Sequence, residues 1–383
     1  MTPRPNVLFA GGGSLGCVYP ALTIASRLAA RAPGMRATIA GDGRAIERHT
    51  ARGAGLGYTH VPGDDTLQRI STAPLRWLRR SAGWAAAHWL LRELDINLVV
   101  SLGGSTSGPV CAAARQSGVP MVLVEADCLP AAATVRHAAA AKAVCLAFEE
   151  TRARLPLATG AIVTGGVGRP GFERFAAPSI APPVTGGDSA PTLIVLGGAA
   201  GASSLNHSAP DALRRLGPAL EGWRVVHQTG AGALADTEAR YRSAGVDAVV
   251  VTYIDELADL AASASLAVCR PAGSTLAELA LAGLPAVLAP DTRRRDDVHG
   301  ANARAAAIEY RCPSVDERGD FAAALARSLG TLLTDAAARQ AIADRMRRRA
   351  RPDAADLVAG ACCEALGIEP APAALAPRRR RAA

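Results

Sequence analysis

Residues 264–302 read ASLAVCRPAGSTLAELALAGLPAVLAPDTRRRDDVHGAN. The apolar run 266–269 predicts a buried strand, 271–275 a small-residue turn, the stretch from Leu276 a helix, and 285–289 a second strand before a charged loop. Ser274 and Thr275 can cap that helix, and Glu278, three residues after Thr275, would close a capping box. A helix start gathers backbone N–H groups and the positive end of the dipole, so it suits an anion. A carboxylate in its first turn can instead hold ribose hydroxyls. Local pattern leaves Glu278 both readings, cap or ribose ligand.

Upstream of this unit the same grammar repeats. Thr192–Leu196 reads as a strand, 197–201 (GGAAG) as a glycine turn, and a helix runs on past Asn206, with further strands at 224–228 and 247–252. The chain's own start matches it: strand Asn6–Ala10, then Gly11-Gly12-Gly13-Ser14-Leu15-Gly16, then a helix from about Pro20 to Ala30. The spacing satisfies G-x-G-x-x-G, although glycines can also serve only a tight turn. Strands follow at 36–40, 97–102, 121–125, 143–148 and 161–164, and Gly103-Gly104 ends one of them before Ser107 enters a helix. Strands alternating with helices imply parallel sheets covered on both faces, with ligands beyond the strands' carboxyl ends. Residues 170–191 are rich in proline and glycine and read as a linker. The expected organisation is therefore α/β: a first Rossmann-like domain at 1–169, the linker, a second at 192–352, a C-terminal helix at 353–366 and a loose basic tail at 367–383. The two domains are expected to face each other across a cleft.

Composition narrows the function. The 383 residues suit two domains, and 49% apolar content supports real cores. Net charge is +8, of which the arginines at 378–381 supply half. No basic stripe is interleaved with stacking aromatics, so nucleic acid is not an expected partner. The eight cysteines show no C-x-x-C or metal-ligand grouping, and most read as reduced core residues. The N-terminus enters a strand without signal-peptide order, and no apolar run approaches the roughly 20 residues of a membrane span.

Residues 73–94 stand apart. They hold three of the four tryptophans, with Arg76, Arg79 and Arg80 beside Trp77. Trp77, Trp84 and Leu91 share a helical face by their spacing. Tryptophan with arginine suits an anionic membrane surface, whereas an ordinary surface helix would bury the same stripe.

A set of motifs, taken in order, resembles one family. It comprises Gly11-Gly12-Gly13 with Gly16, Tyr19 and Pro20, then Gly103-Gly104 with Ser107-Gly108-Pro109, then Thr164-Gly165 with Arg169. It continues with Gly197-Gly198, Gly201, Leu205-Asn206, His227-Gln228-Thr229-Gly230, Glu278, Gly283-Leu284-Pro285, and Asp296-Asp297 with Asn302. The chain resembles the MurG-like glycosyltransferases of family 28 from residue 6 to about 366, which implies the two-domain GT-B architecture with the donor on the second domain and the acceptor on the first. The resemblance implies inverting transfer of N-acetylglucosamine, or a related sugar, from a UDP donor to a polyprenyl-linked acceptor in peptidoglycan synthesis. It implies a peripheral enzyme on the cytoplasmic face of the cell membrane, with the UDP-sugar as substrate and neither metal nor other cofactor. Donor-side residues are then Gly13, Ser14, Arg169, Gly198, Ala199, Gly201, Ile254, Ser274, Thr275, Glu278 and His299. Among them Glu278 would hold the ribose, Arg169 would lie by the phosphates and Ile254 would touch uracil. Gly104, Ser107 and Asp127 fall on the acceptor side, and Trp77, Arg79, Arg80 and Trp84 on the membrane.

Departures from the family pattern cluster at the sugar-reading and proton-moving positions. The family histidine of the first glycine loop is Cys17, and its H-E-Q-N segment is Val124-Glu125-Ala126-Asp127. The donor-loop serine and glutamine are Ala199 and Ala200, and the sugar-reading glutamine is His299. A thiol of ordinary pKa is mostly protonated at neutral pH, so Cys17 is a poor base and Asp127 the other candidate. Two further classes follow. One is a catalytically impaired paralogue that binds nucleotide-sugar or a partner. The other is an NAD(P)-dependent oxidoreductase, which would want an acid about 20 residues past the first motif; Asp42 lies farther along and no catalytic pair follows.

Overall fold

The computed structural model of the chain describes residues 4–63, 73–155, 160–176, 190–291 and 297–369; within 73–80 it describes the backbone alone. The chain divides into two units, one of Met1–Glu125, Pro130–Thr164 and Asp353–Ala383, the other of Ala126–Leu129 and Gly165–Pro352.

The first unit opens with β1 (Asn6–Ala10), α1 (Leu15–Arg31), β2 (Arg36–Gly41), α2 (Ala45–Gly53) and β3 (Gly57–His60). It continues through α3 (Ala73–Glu93), β4 (Leu98–Ser101), α4 (Ser107–Ser117), β5 (Met121–Glu125), α5 (Ala132–His137), β6 (Ala143–Leu146) and β7 (Ala161–Val163). All seven strands pair in parallel in the order β3-β2-β1-β4-β5-β6-β7. Strands covered on both faces must be apolar throughout, and Val7, Leu8, Phe9, Leu98, Val99 and Val100 have no exposed surface. The edge strand β3 is absent from the sequence expectation because Gly-Tyr-Thr-His carries no apolar run.

Trp84 packs partly against this unit's core and Leu91 is buried in it. The face shared by Trp84 and Leu91 therefore turns inward, and among the described side chains of α3 the tryptophan left to solvent is Trp89, 62% exposed. Trp77, Arg79 and Arg80 lie on α3, with side chains outside the described residues. No helix among the described residues is long and apolar enough to cross a membrane.

The second unit holds β8 (Thr192–Leu196), α6 (Ser203–Leu216), β9 (Arg224–Gln228), α7 (Leu234–Ala244), β10 (Val249–Val251), α8 (Leu257–Ser263) and β11 (Ala264–Cys269). Then come α9 (Gly273–Ala282), β12 (Ala286–Leu288), α10 (Val298–Glu309), α11 (Phe321–Thr334) and α12 (Ala336–Arg349). Its parallel sheet runs β10-β9-β8-β11-β12. Each sheet thus reverses direction beside its first strand, between β1 and β4 and between β8 and β11. Ligands of doubly wound sheets sit outside the carboxyl ends of the strands at this reversal.

The last helix, α13 (Ala354–Leu366), belongs to the first unit. It packs on α1, where Asp356 meets Arg31 at 2.9 Å, and buries Val358, Cys362 and Cys363. Within the expected linker 170–191, Phe172–Ala176 form a 3-10 turn whose Phe172 is 2% exposed. Residues 177–189 lie outside the described part, as do Asp296 and the tail from 370 onward.

Candidate functional site

At the reversal of the second sheet, Leu196 ends β8 and the backbone enters the glycine turn. Gly198 and Gly201 take φ of +75° and +80°, a region that L side chains rarely adopt. A Cβ on Gly201 would lie 2.6 Å from the Thr229 carbonyl, and one on Gly230 would lie 2.2 Å from the Gly201 nitrogen. The two turns are therefore in backbone contact, and only glycine permits it. Ala199 and Ala200 bring no polar side chain, so the loop's hydrogen-bonding capacity is its peptide groups and the start of α6, whose N-cap Ala202 has no side-chain bond.

Behind this loop lies a buried polar network that sequence reasoning did not identify. Asn206 on α6 donates from Nδ2 to the Thr229 carbonyl at 3.0 Å, which leaves its Oδ1 as the acceptor for His227 Nε2 at 3.1 Å. His227 Nδ1 then accepts the Tyr241 hydroxyl at 2.9 Å. Burial holds the His227 ring neutral, its pKa lowered to about 4, and raises that of Tyr241. Next along β9, Gln228 Oε1 accepts the N–H of Ile254 at 3.0 Å, fixing the backbone of the residue expected at uracil.

Glu278 is 4% exposed, and its Oε1 accepts both the backbone N–H of Arg169 at 3.1 Å and its guanidinium Nε at 3.0 Å. The capping box expected of Glu278 is not formed. Helix α9 begins at Gly273 rather than Leu276, its N-cap is Ala272, and neither Ser274 nor Thr275 caps it. The reason is tertiary: the first amide is taken by Asp127, whose Oδ1 accepts the Gly273 N–H at 3.0 Å. A Cβ on Gly273 would fall 1.9 Å from the Ala126 carbonyl, so residues 126–129 lie directly on the helix start.

The same Asp127 oxygen also accepts Asn302 Nδ2 at 2.6 Å. Asn302, fully buried, binds the Cys128 N–H and the Pro271 carbonyl as well. The residue considered as a proton acceptor thus caps a helix in this structure. His299 lies in the first turn of α10, where its Nδ1 accepts the Asp291 N–H at 3.3 Å.

A second unforeseen cluster ties the strand ends together. Arg270 follows β11, pairs with Glu317, donates to the Ala289 carbonyl at 2.6 Å and reaches Ser204 Oγ at 2.7 Å in the first turn of α6. The pair's side chains are 12% and 6% exposed. Charged partners distant in sequence, they carry no periodic signal.

In the first unit, Ser14 precedes α1 and Cys17 lies in its first turn, with Ser14 Oγ 4.0 Å from the thiol. Gly104, at φ +74°, lies against this turn: its Cβ would sit 2.2 Å from the Gly12 carbonyl and 3.3 Å from Cys17 Sγ. Ser107 is buried and donates back to the carbonyls of Gly103 and Ala10, at 2.5 and 3.1 Å. Its hydroxyl therefore holds the loop. No group of three or more His, Cys, Asp and Glu among the described residues could hold a metal ion.

Two family models match the chain, the glycosyltransferase family 28 N-terminal domain over residues 7–146 and its C-terminal domain over residues 192–358. A UDP-N-acetylglucosamine–N-acetylmuramyl-(pentapeptide) pyrophosphoryl-undecaprenol N-acetylglucosamine transferase of Xanthomonas campestris pv. campestris (strain B100) is 34% identical over 363 residues. That alignment covers 93% of this chain and 81% of the relative. The protein of the same name from Pseudomonas paraeruginosa is 34% identical over 365 residues, 94% of this chain and 99% of its own length. Among solved structures, MurG of Acinetobacter baumannii superposes with a TM-score of 0.69 at 24% identity, covering 93% of this chain and 98% of that one. A UDP-GlcNAc 2-epimerase of Neisseria meningitidis bound to UDP-GlcNAc gives 0.66 at 12% identity, covering 94% and 100%. These structural likenesses concern the fold.

Proposed function

We propose, from the premise that this chain belongs to glycosyltransferase family 28 and has its GT-B fold, that it transfers N-acetylglucosamine from UDP-GlcNAc to a polyprenyl-pyrophosphoryl acceptor, converting lipid I to lipid II in peptidoglycan synthesis. The observation that carries the reading is the buried pairing with Arg169 of Glu278, on the helix that follows β11, the strand next to β8, whose own C-terminal glycine turn offers bare peptide groups. A carboxylate held there can take the ribose hydroxyls. The arginine and the amides of the turn can stabilise the departing diphosphate as the glycosidic bond to UDP breaks. Displacement at the anomeric carbon needs the acceptor hydroxyl to lose its proton to a positioned base. Donor contacts are assigned to Gly13, Ser14, Gly198, Ala199, Gly201, Ile254, Ser274, Thr275 and His299, and the acceptor to the first unit near Gly104 and Ser107. The enzyme works peripherally at the cytoplasmic face of the cell membrane, with α3 against anionic lipid.

The test is product formation with a panel of UDP-sugars and a lipid I analogue: lipid II from UDP-GlcNAc is expected, and turnover only with another donor would overturn the donor assignment. A second reading is favoured by Cys17, whose thiol stands where the family carries a histidine: a binding paralogue with impaired chemistry. Comparing wild type, Cys17→His and Asp127→Asn separates the two. A near-zero wild-type rate that Cys17→His raises supports impairment, and equal, substantial rates in all three exclude both residues as the base.

A further inference from the structure

The first unit contains a buried carboxylate that neither motif nor periodicity marks. Glu47, in the first turn of α2, has no exposed surface. Its Oε1 accepts the N–H of Gly13 at 2.7 Å, and its Oε2 accepts the N–H of Asp42 at 3.1 Å and the Tyr58 hydroxyl at 2.9 Å. Tyr58 accepts in turn from the Gly43 N–H at 2.9 Å. One carboxylate therefore joins the glycine turn after β1, the loop after β2 and the strand β3.

The peptide bond between Gly12 and Gly13 is held from its other side as well, because the Gly12 carbonyl accepts the Ser105 N–H at 3.0 Å. In a trans peptide the N–H and C=O point in opposite directions, so this unit is pinned at both poles. Side-chain bulk has been cleared from the path: a Cβ on Gly41 would sit 2.5 Å from Glu47 Oε2, and one on Gly12 would sit 2.6 Å from the Asp42 nitrogen.

Burying a carboxylate is costly, and here burial raises the pKa of Glu47 while the bonds from Tyr58 and Gly13 lower it. A neutral amide of the same shape would set its NH2 against the N–H of Gly13 or of Asp42, donor against donor. Only a group that accepts at both ends satisfies the two amides together.

We infer that Glu47 is a positioning residue, fixing the peptide between Gly12 and Gly13 in one orientation so that Cys17 and Gly104, which lies against this turn, present a constant surface to the acceptor. The inference rests on the proposed placement of the acceptor in the first unit.

The experiment uses the full-length protein and its Glu47→Gln and Tyr58→Phe variants. Steady-state KM and kcat are measured for UDP-GlcNAc and for a lipid I analogue separately, with hydrogen exchange followed in the segment 6–20. Glu47→Gln is expected to lower kcat/KM for the acceptor about 10- to 100-fold, as loss of a buried charged hydrogen bond does, and to raise KM for UDP-GlcNAc less, by about 2- to 5-fold, because Gly13 and Ser14 of the same turn are assigned to the donor. Exchange in the glycine turn should accelerate while exchange in the second unit stays unchanged. Tyr58→Phe leaves the Gly13 bond intact, so its effect should be smaller in the same direction, and it decides the matter if Glu47→Gln does not fold. Equal losses for both substrates without a local change in exchange would overturn the inference, as would unchanged acceptor kinetics and exchange. Should the wild type make no product, the proposed function fails, and the exchange difference alone decides whether Glu47 fixes the turn.

Discussion

Glu278 and Arg169 are 109 residues apart and nearly buried together, so each neutralises a charge that would otherwise be stranded. Removing one partner of such a pair costs about 3–5 kcal/mol, because the other is left buried without compensation. Glu278→Ala is therefore expected to lower stability and also to weaken UDP binding at least about 10-fold in calorimetric titration. The double variant Glu278→Ala with Arg169→Ala separates the two effects. It should regain part of the lost stability in urea denaturation and none of the affinity. Recovery of UDP binding in the double variant would mean the carboxylate serves only its arginine.

Among the elements, the glycine turns make the sharpest distinction between strain and close approach. Gly230 and Gly232 have nearly the same φ, +78° and +81°, yet a Cβ on Gly230 meets the Gly201 backbone and one on Gly232 meets nothing within 4 Å. Gly232→Ala should cost only the left-handed conformation, about 1–2 kcal/mol, and leave UDP affinity intact. Gly230→Ala must also push apart the turn at 197–201, so we expect a larger loss of stability together with weaker UDP binding. Helix α3 divides the same way. Trp84→Ala should lower the melting temperature because the ring packs on the core, whereas Trp89→Ser should leave it nearly unchanged. Vesicle flotation on anionic liposomes then tests Trp89; unaltered flotation of Trp89→Ser would remove that ring from any lipid contact.

For the molecule as a whole, pH and chain length are the levers. His227 is fully buried and its folded pKa of about 4 lies below the ordinary value near 6.5. The folded state excludes a proton that the unfolded chain binds, so this contribution is complete above pH 6.5 and is lost as pH falls towards 4. Between pH 7 and pH 5 the loss is about 2 kcal/mol, measurable by urea denaturation, and His227→Gln should flatten that part of the profile. Helix α13 supplies buried side chains to the first unit from the far end of the chain. Truncation after Pro352 is expected to expose the apolar surface of α1 and unfold the first unit. Cooperative unfolding of that unit at an unchanged denaturant concentration would contradict this.

Sequence alone determined the two parallel α/β units, because strands buried on both faces must be uninterrupted apolar runs and the turns that follow them must be glycine. It also marked Glu278, Arg169 and the turn at 197–201 through their resemblance to family 28. What only the tertiary structure decided are the partners of charged and polar groups: Glu278 with Arg169 instead of its own helix, Asp127 on the start of α9, Arg270 with Glu317, Glu47 beneath Gly13. Each pairing joins residues that are not neighbours on one helix or strand, so no period of 2 or 3.6 betrays it. The penalty for an unpaired buried charge acts only once folding has removed the water, which is why those partners are written in the packing rather than in the local sequence.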